Sequence, residues 1–316
     1  MQRKKFLALI AVALVLSGCQ ESGETQVVLG TAATTGMFFF VGAAVGNAVS
    51  HSTDLNVLVQ STAGSMENIF FVQSGDIDIG MANSDALYGA FHGALTFEAA
   101  GRQNIVQVAT LYTSSAHLWV RADSDIHTWS DLRGRRVSLG TAGATHAYFA
   151  QQVMQNYGIN WQTDLGTHTF MDVGEASSRL ADGDIDAAFV IGGAPLAGIE
   201  ASIVTTPFRF ISISEAVIDE LIRGHPFLIP YTMRAGTYSG QDQDVQSFGL
   251  ATSFFASPRL PAETVYTFVR GMMESLPTFH DTNSATRQIS VDTVWTSVIP
   301  LHPGAEQFYR SQGWID

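Results

Sequence analysis

Apolar positions along the chain fall into short β-rich runs separated by amphipathic stretches, and the order of these runs repeats. Val27–Gly30 reads as a strand that enters a small-residue loop and then a helix over about 36–50. Leu55–Gln60 is a second strand, a helix begins near Ser65, and a Gly75-Asp76 turn leads into a third strand, Ile77–Ala82. The same sequence of elements returns with Val137–Gly140, a helix over about 145–157, a strand at Thr169–Val173, a helix from about Glu175, a Gly183-Asp184 turn and a strand at Ile185–Ile191. Gly75 and Gly183 stand where the residue after a helix takes positive φ. Val106–Tyr112 and Ala116–Arg121 read as two strands leading from the first unit into the second, and Gly249–Ala256 as a strand that returns. Pro261 is expected to open an amphipathic helix to about Leu276, in the first turn, where a missing N–H is harmless.

The repetition extends to residue identity. Val27–Thr35 matches Val137–Thr145 at an offset of 110, and Glu67–Asp78 matches Glu175–Asp186 at an offset of 108, both copies ending Gly-Asp-Ile-Asp. Two matches at nearly one offset mark two copies of one α/β unit. The expected fold is therefore α/β: two Rossmann-like lobes joined by hinge strands, with parallel sheets covered on both faces. The expected division is a signal peptide over 1–18, the first lobe over 19–115, the second over 116–248, and a return to the first lobe with C-terminal helices over 249–316.

The N-terminus changes the picture from a plain two-lobed domain to an exported one. Arg3, Lys4 and Lys5 precede an apolar run, Phe6–Leu16, that is too short to span a bilayer and reads as a secretory segment. It ends in Leu16-Ser17-Gly18-Cys19, which resembles a bacterial lipobox. Cys19 is the sole cysteine, so it has no internal disulfide partner and is the expected lipidation site. The expected location is the periplasm or cell envelope, with the membrane reached only through that anchor.

Charge and composition then remove whole classes of function. The formal charge is −13, and it becomes −16 once Arg3, Lys4 and Lys5 leave with the signal segment. Nucleic acid is not an expected partner, because phosphate binding needs clustered cations. Lys4 and Lys5 are the only lysines, so the exported part has none for Schiff-base or P-loop chemistry. The nine histidines show no H-x-x-x-H spacing, and Asp182–Asp186 lacks the register of a calcium loop, so neither a metal nor another cofactor is expected. No G-x-S-x-G elbow is present. Arg133–Arg136 reads as a surface turn, and Trp119, Trp129 and Trp161 as core or rim.

In open α/β sheets, ligands sit beyond the carboxyl ends of the strands, where helix N-termini present free N–H groups. Here those segments are Thr31–Phe39, Thr62–Asn68, Asn83–Asp85, Thr141–His146 and Gly192–Leu196, all rich in small and neutral polar residues and free of Lys and Arg. Such loops suit a small carboxylate held by backbone N–H groups and uncharged donors. They are equally the composition of ordinary turns.

The segments Gly30–Phe40, Thr62–Asn68, Asp131–Gly140, Gly193–Pro195, Gly236–Asp242 and Pro300–Gly304, taken together and in order, resemble the TAXI proteins. These are the solute-binding subunits of one branch of the TRAP transporters, and the likeness runs over essentially the whole exported part. The resemblance implies a type II periplasmic binding-protein fold, capture of a small organic anion by hinge closure, no enzymatic activity, and delivery to a TRAP-type membrane permease by a monomer. Relatives of that kind bind glutamate, glutamine or small dicarboxylates. Carried over by matching motif, the ligand-binding positions are Thr34, Thr35, Met37, Phe38, Ser65, Asn68, Asn83, Ala144, Thr145, His146, Gly193, Ala194 and Pro195.

The departures bear on the ligand. A usual Gly-Gly-Thr-Tyr-Tyr-Pro loop reads Thr35-Gly36-Met37-Phe38-Phe39-Phe40, Asn83 replaces a common Gln, and a Gly-Ser-Gly-Thr-like run reads Gly143-Ala144-Thr145-His146. Hydroxyls are lost at several places at once, so the expected ligand is more apolar than glutamate while keeping one carboxylate, with His146 as an added donor. Two other readings stay open at this stage: a sensory binding protein that docks a signalling receptor, and an enzyme on the same fold.

Overall fold

The computed structural model describes residues 25–34, 36–141 and 145–316. Cys19, the whole expected signal segment, Thr35 and Ala144 lie outside the described residues.

The first lobe begins with parallel strands β1 (Thr25–Gly30), β2 (Leu55–Gln60) and β3 (Ile79–Asn83), connected by α1 (Met37–Ser52) and α2 (Ser65–Ser74). α3 (Ser84–His92) follows β3 without a loop, and β4 (Val106–Arg121) runs out of the lobe. The second lobe repeats the plan with β5 (Arg136–Ser138), α4 (His146–Asn156), β6 (Thr167–Thr169), α5 (Val173–Asp182) and β7 (Ala187–Gly192). Then come α6 (Ala197–Ile203), β8 (Phe208–Phe210), α7 (Glu215–Gly224) and β9 (Leu228–Met233). β10 (Val245–Ala256) returns to the first lobe, where α8 (Ala262–Glu274), α9 (Leu276–Phe279) and α10 (Pro303–Ser311) end the chain.

All ten strands form one sheet whose path reads β2-β1-β3-β10-β4-β7-β5-β6, so the order β2-β1-β3 is answered by β6-β5-β7. The duplication is therefore structural as well as sequential. Gly75 ends α2 at φ 86° and Gly183 ends α5 at φ 78°, both in the left-handed region expected of them. The Asp that follows each turn does the same work: Asp78 accepts from the Val28 N–H at 2.8 Å, and Asp186 from the Arg136 N–H at 2.8 Å. Each carboxylate thus ties the start of the lobe's last strand to its first.

Hydrophobic burial closes each lobe separately. Val27, Leu29, Val41 and Val45 meet Phe268 and Met272 of α8 and Phe308 of α10, which explains why the chain must return after β10. Trp129, Phe149, Val153, Phe189 and Phe248 form the core of the second lobe, with Trp119 and Leu180 on its other face. Full burial of each such side chain contributes about 1.5–3 kcal/mol.

Several expectations shift. The polar Thr113–Ser115 segment does not separate two strands; β4 runs unbroken through it because β10 pairs with one edge and β7 with the other. The strand expected at 169–173 ends at Thr169, because Asp172 caps α5 by accepting from the Gly174 and Glu175 N–H groups and starts the helix at Val173. Pro261 stands just before α8, with ψ 134°, and Ala262 is the first helical residue. Arg133, Arg135 and Arg136 form the expected surface turn, paired with Asp164, Asp125 and Asp186.

Candidate functional site

The loops of the first lobe are built to hold one another. Thr31 is fully buried and its N–H donates to the Gln60 carbonyl. Asn68 is also fully buried; its Nδ2 donates to the Thr31 and Met81 carbonyls at 2.7 and 2.8 Å, and its Oδ1 accepts from the Thr62 hydroxyl at 2.7 Å. Its polar atoms are therefore engaged inside the lobe, and it shapes the loops rather than facing a cleft. Ser65 accepts from the Asn83 N–H at 3.2 Å, and Asn83 Oδ1 accepts from the Thr252 hydroxyl at 2.8 Å. Thr34 is exposed on its turn. Met37 and Phe38, at the start of α1, are half-buried against the first-lobe core.

In the second lobe, Gly140 has φ 86°, and a methyl there would lie 2.6 Å from His146 Cβ. The absent side chain makes room for His146, the first residue of α4. Its Nδ1 is closed off from solvent without a hydrogen-bond partner among the described residues, and desolvation pulls the pKa down to about 4, so the ring is neutral at pH 7. The Gly193–Leu196 loop is held from behind by a buried relay. The Leu196 N–H donates to Tyr238 Oη at 2.8 Å, Tyr238 donates to His117 Nε2 at 3.1 Å, and His117 Nδ1 donates to the Ser115 carbonyl at 2.8 Å. The backbone partners assign this tautomer, because the Ser115 oxygen only accepts and the Leu196 nitrogen only donates. Burial lowers the His117 pKa to about 4 and raises that of Tyr238.

The two lobes meet over the hinge. Gly193 and Ala194 are buried, and a methyl on Gly193 would fall 2.9 Å from Tyr112 Cε2 and 3.2 Å from Met37 Cγ. The second-lobe loop, the start of α1 and the hinge strand β4 therefore converge on one spot. Ser284, in the C-terminal segment, donates to the Ala194 carbonyl at 2.7 Å, and Ser84 at the start of α3 donates to the Phe227 carbonyl at 2.8 Å. Asp85, 3 % exposed, faces Thr145 at the start of α4; burial raises its pKa, opposed by the Thr145 side chain and by backbone N–H groups of α3. Ser114 and Thr252 hydroxyls lie 3.0 Å apart on the hinge strands beside Asn83. Pro195 follows Ala194 through a cis peptide bond.

Met37 thus meets Gly193 across the lobes, Ala194 is tied to Ser284, and Asp85, two residues after Asn83, faces Thr145 beside His146; Ser65 and Asn68 are engaged within the first lobe. Sequence reasoning missed Tyr112, Ser114 and Thr252 on the strands, Tyr238 in the turn between β9 and β10, and Ser284 in the C-terminal segment, all brought to this junction by long-range contacts. The available signals were the polar Thr113-Ser114-Ser115 interruption between apolar runs and the Gly236–Asp242 motif, which holds Tyr238. Among the described residues no group of His, Cys, Asp and Glu side chains is placed to hold a metal ion, and no helix is long and apolar enough to cross a membrane.

This arrangement, a duplicated α/β unit with two long strands crossing between lobes, is the type II periplasmic binding-protein fold, and solved structures of such proteins superpose on it. The periplasmic sulfonate-binding protein of a putative sulfonate transporter from Methylobacillus flagellatus is 13% identical, with 92% of this chain and 78% of that one covered at TM-score 0.53. A TctC solute-binding protein from Polaromonas is 16% identical, covering 83% and 85% at TM-score 0.52. PhnD1 from Prochlorococcus marinus, solved with methylphosphonate, is 9% identical, covering 92% and 100% at TM-score 0.51. At these identities the likeness establishes the fold. Residues 29–313 match the NMT1-like family, and the chain belongs to it.

Proposed function

We propose that this chain is an extracytoplasmic solute-binding receptor of the TAXI kind, which closes over a small carboxylate-bearing molecule and presents it to a TRAP-type membrane permease. The observation that carries the reading is the convergence of Met37, Tyr112 and Gly193: groups from both lobes and from the hinge meet at one point, so a ligand there would bind the closed form more tightly than the open one. The lobes are assigned to residues 19–115 with 249–316, and to 116–248, and Cys19 is assigned as the lipid anchor in the cell envelope.

The cleft's chemistry supports a binder of small anions rather than an enzyme. The segments that meet there contain no Lys or Arg. An anion would be held by N–H groups at the starts of α1, α2 and α4 and by neutral hydroxyls. Among the described residues His146 has no hydroxyl partner, so none of them forms a nucleophile–base pair with it in this arrangement. The structural relatives named for sulfonate and methylphosphonate binding also take small organic oxyanions. The loss of phenols at Phe38 and Phe39 supports a monocarboxylate with an apolar body over glutamate.

Native mass spectrometry of the purified protein, followed by thermal-shift titration with butyrate, hexanoate, succinate and glutamate, tests this reading. A monocarboxylate is expected to raise Tm most. Strong stabilisation by glutamate with none by the monocarboxylates removes the ligand assignment, and turnover of a bound compound removes the receptor assignment.

A further inference from the structure

The Tyr112 side chain is 2 % exposed, yet among the described residues its hydroxyl has no well-formed hydrogen bond. A buried, unpaired hydroxyl costs about 1–3 kcal/mol, and native proteins retain such groups rarely. Thr252 is its register partner on β10 and donates its own proton to Asn83 Oδ1. The Thr252 hydroxyl oxygen acts on the Tyr112 hydroxyl, lowering its pKa slightly against the rise from burial, but it does not meet full hydrogen-bond geometry. The Tyr112 ring is wedged where Met37 of the first lobe approaches Gly193 of the second. It stands on β4, the strand shared by both lobes. Its position is therefore set by the hinge itself and is independent of which loop moves.

From this geometry we infer that the Tyr112 hydroxyl is a ligand-anchoring donor on the floor of the cleft, giving its proton to an oxygen acceptor of the bound molecule. The assignment rests on the receptor reading above and adds a residue that fixes specificity. Tyr112 is neutral at pH 7, so it is a donor without charge. A carboxylate oxygen satisfies it; an ammonium group, which only donates, does not satisfy that proton. Ligands with a carboxylate are favoured over the amines and hydrocarbons of the same length, and no guanidinium is needed to hold them.

The test is Tyr112→Phe, which keeps the ring and its packing and removes only the orphan oxygen. Two quantities are read: Tm of the ligand-free protein, and affinity by calorimetry for hexanoate, hexylamine and glutamate. The ligand-free variant is expected to keep or raise Tm, because an unpaired buried group has been removed. Hexanoate affinity is expected to fall about 10- to 100-fold, the loss of one hydrogen bond to a charged acceptor. A fall of several degrees in ligand-free Tm would show that the hydroxyl supports the fold, and unchanged affinity for a carboxylate would show that it does not touch ligand; either overturns the assignment. If hexylamine binds the wild type more tightly than hexanoate, the acceptor assignment is also overturned. If wild type binds none of the three, the carboxylate reading fails and the Tyr112 assignment falls with it, whereas hexanoate binding equally tight in wild type and Tyr112→Phe overturns the Tyr112 assignment alone.

Discussion

The Ser284 hydroxyl donates to the Ala194 carbonyl across 2.7 Å, joining the C-terminal segment of the first lobe to the loop that follows the last strand of the second lobe's repeat. The same loop is fixed within its own lobe through Leu196, Tyr238 and His117. One end of the loop is therefore anchored and the other is docked. Only the docked contact depends on how the lobes sit relative to each other.

Ser284→Ala removes the docked contact alone. A neutral hydrogen bond contributes about 0.5–1.5 kcal/mol, so ligand affinity is expected to fall about 3- to 10-fold. The change belongs in the dissociation rate, read by stopped-flow fluorescence. An unchanged dissociation rate would show that Ser284 does not hold the lobes together.

Gly193→Ala acts on the same junction by sterics. Gly193 is not in the left-handed region, so alanine fits the backbone, but its methyl would fall 2.9 Å from Tyr112 Cε2 on the paired strand β4 and 3.2 Å from Met37 Cγ of the first lobe. Affinity is expected to drop by more than about tenfold while Tm of the ligand-free protein shifts little, a separation visible by calorimetry beside thermal melting.

Asn68→Ala is expected to behave in the opposite way. It leaves the Thr31 and Met81 carbonyls without their buried donor, which costs about 2–4 kcal/mol of unfolding free energy in urea titration. If affinity fell instead with stability intact, Asn68 would be a ligand contact after all.

Gly75→Ala and Gly183→Ala test the duplication. Nothing lies within 4 Å of either added methyl, so the cost is the left-handed backbone alone. Each is expected to destabilise by about 1 kcal/mol, and by similar amounts.

Acid sensitivity follows from His117. Its folded pKa of about 4 lies below the ordinary value of 6.5, so the unfolded chain takes up the proton first as pH falls. Stability contributed by the neutral ring is complete above about pH 6.5 and declines towards pH 4, by about 3 kcal/mol in all. Asp85 works in the other direction, because burial raises its pKa and acid relieves it. The informative readout is therefore the difference between wild type and His117→Gln: the variant's urea midpoint should lose less between pH 7 and 4.5.

Legibility from sequence tracked how local each determinant is. The Gly-Asp-Ile-Asp turns were readable because a left-handed glycine and an aspartate clamp act within one helix end and one strand start. The strand after α4 was misplaced because Asp172 captures the α5 N-terminus, a competition between cap and strand that composition alone does not decide. The helix α3 was not anticipated; it abuts β3 with no loop between them, so Asn83–Asp85 read only as a turn. At the junction of the lobes, the positions of the helix starts were legible, and those of Tyr112, Thr252, Tyr238 and Ser284 were not. Each owes its place to partners 90 or more residues away or to a strand register that no local pattern encodes.

β4 belongs to both cores at once, with Val108 and Leu111 packed in the first lobe and Leu118 and Val120 in the second. Heat or denaturant that frays this strand at either end withdraws side chains from its own lobe and loosens the edge on which the other is assembled. The molecule should therefore melt in a single cooperative step, and either lobe expressed alone, deprived of its share of that strand's partners, should be recovered as aggregate.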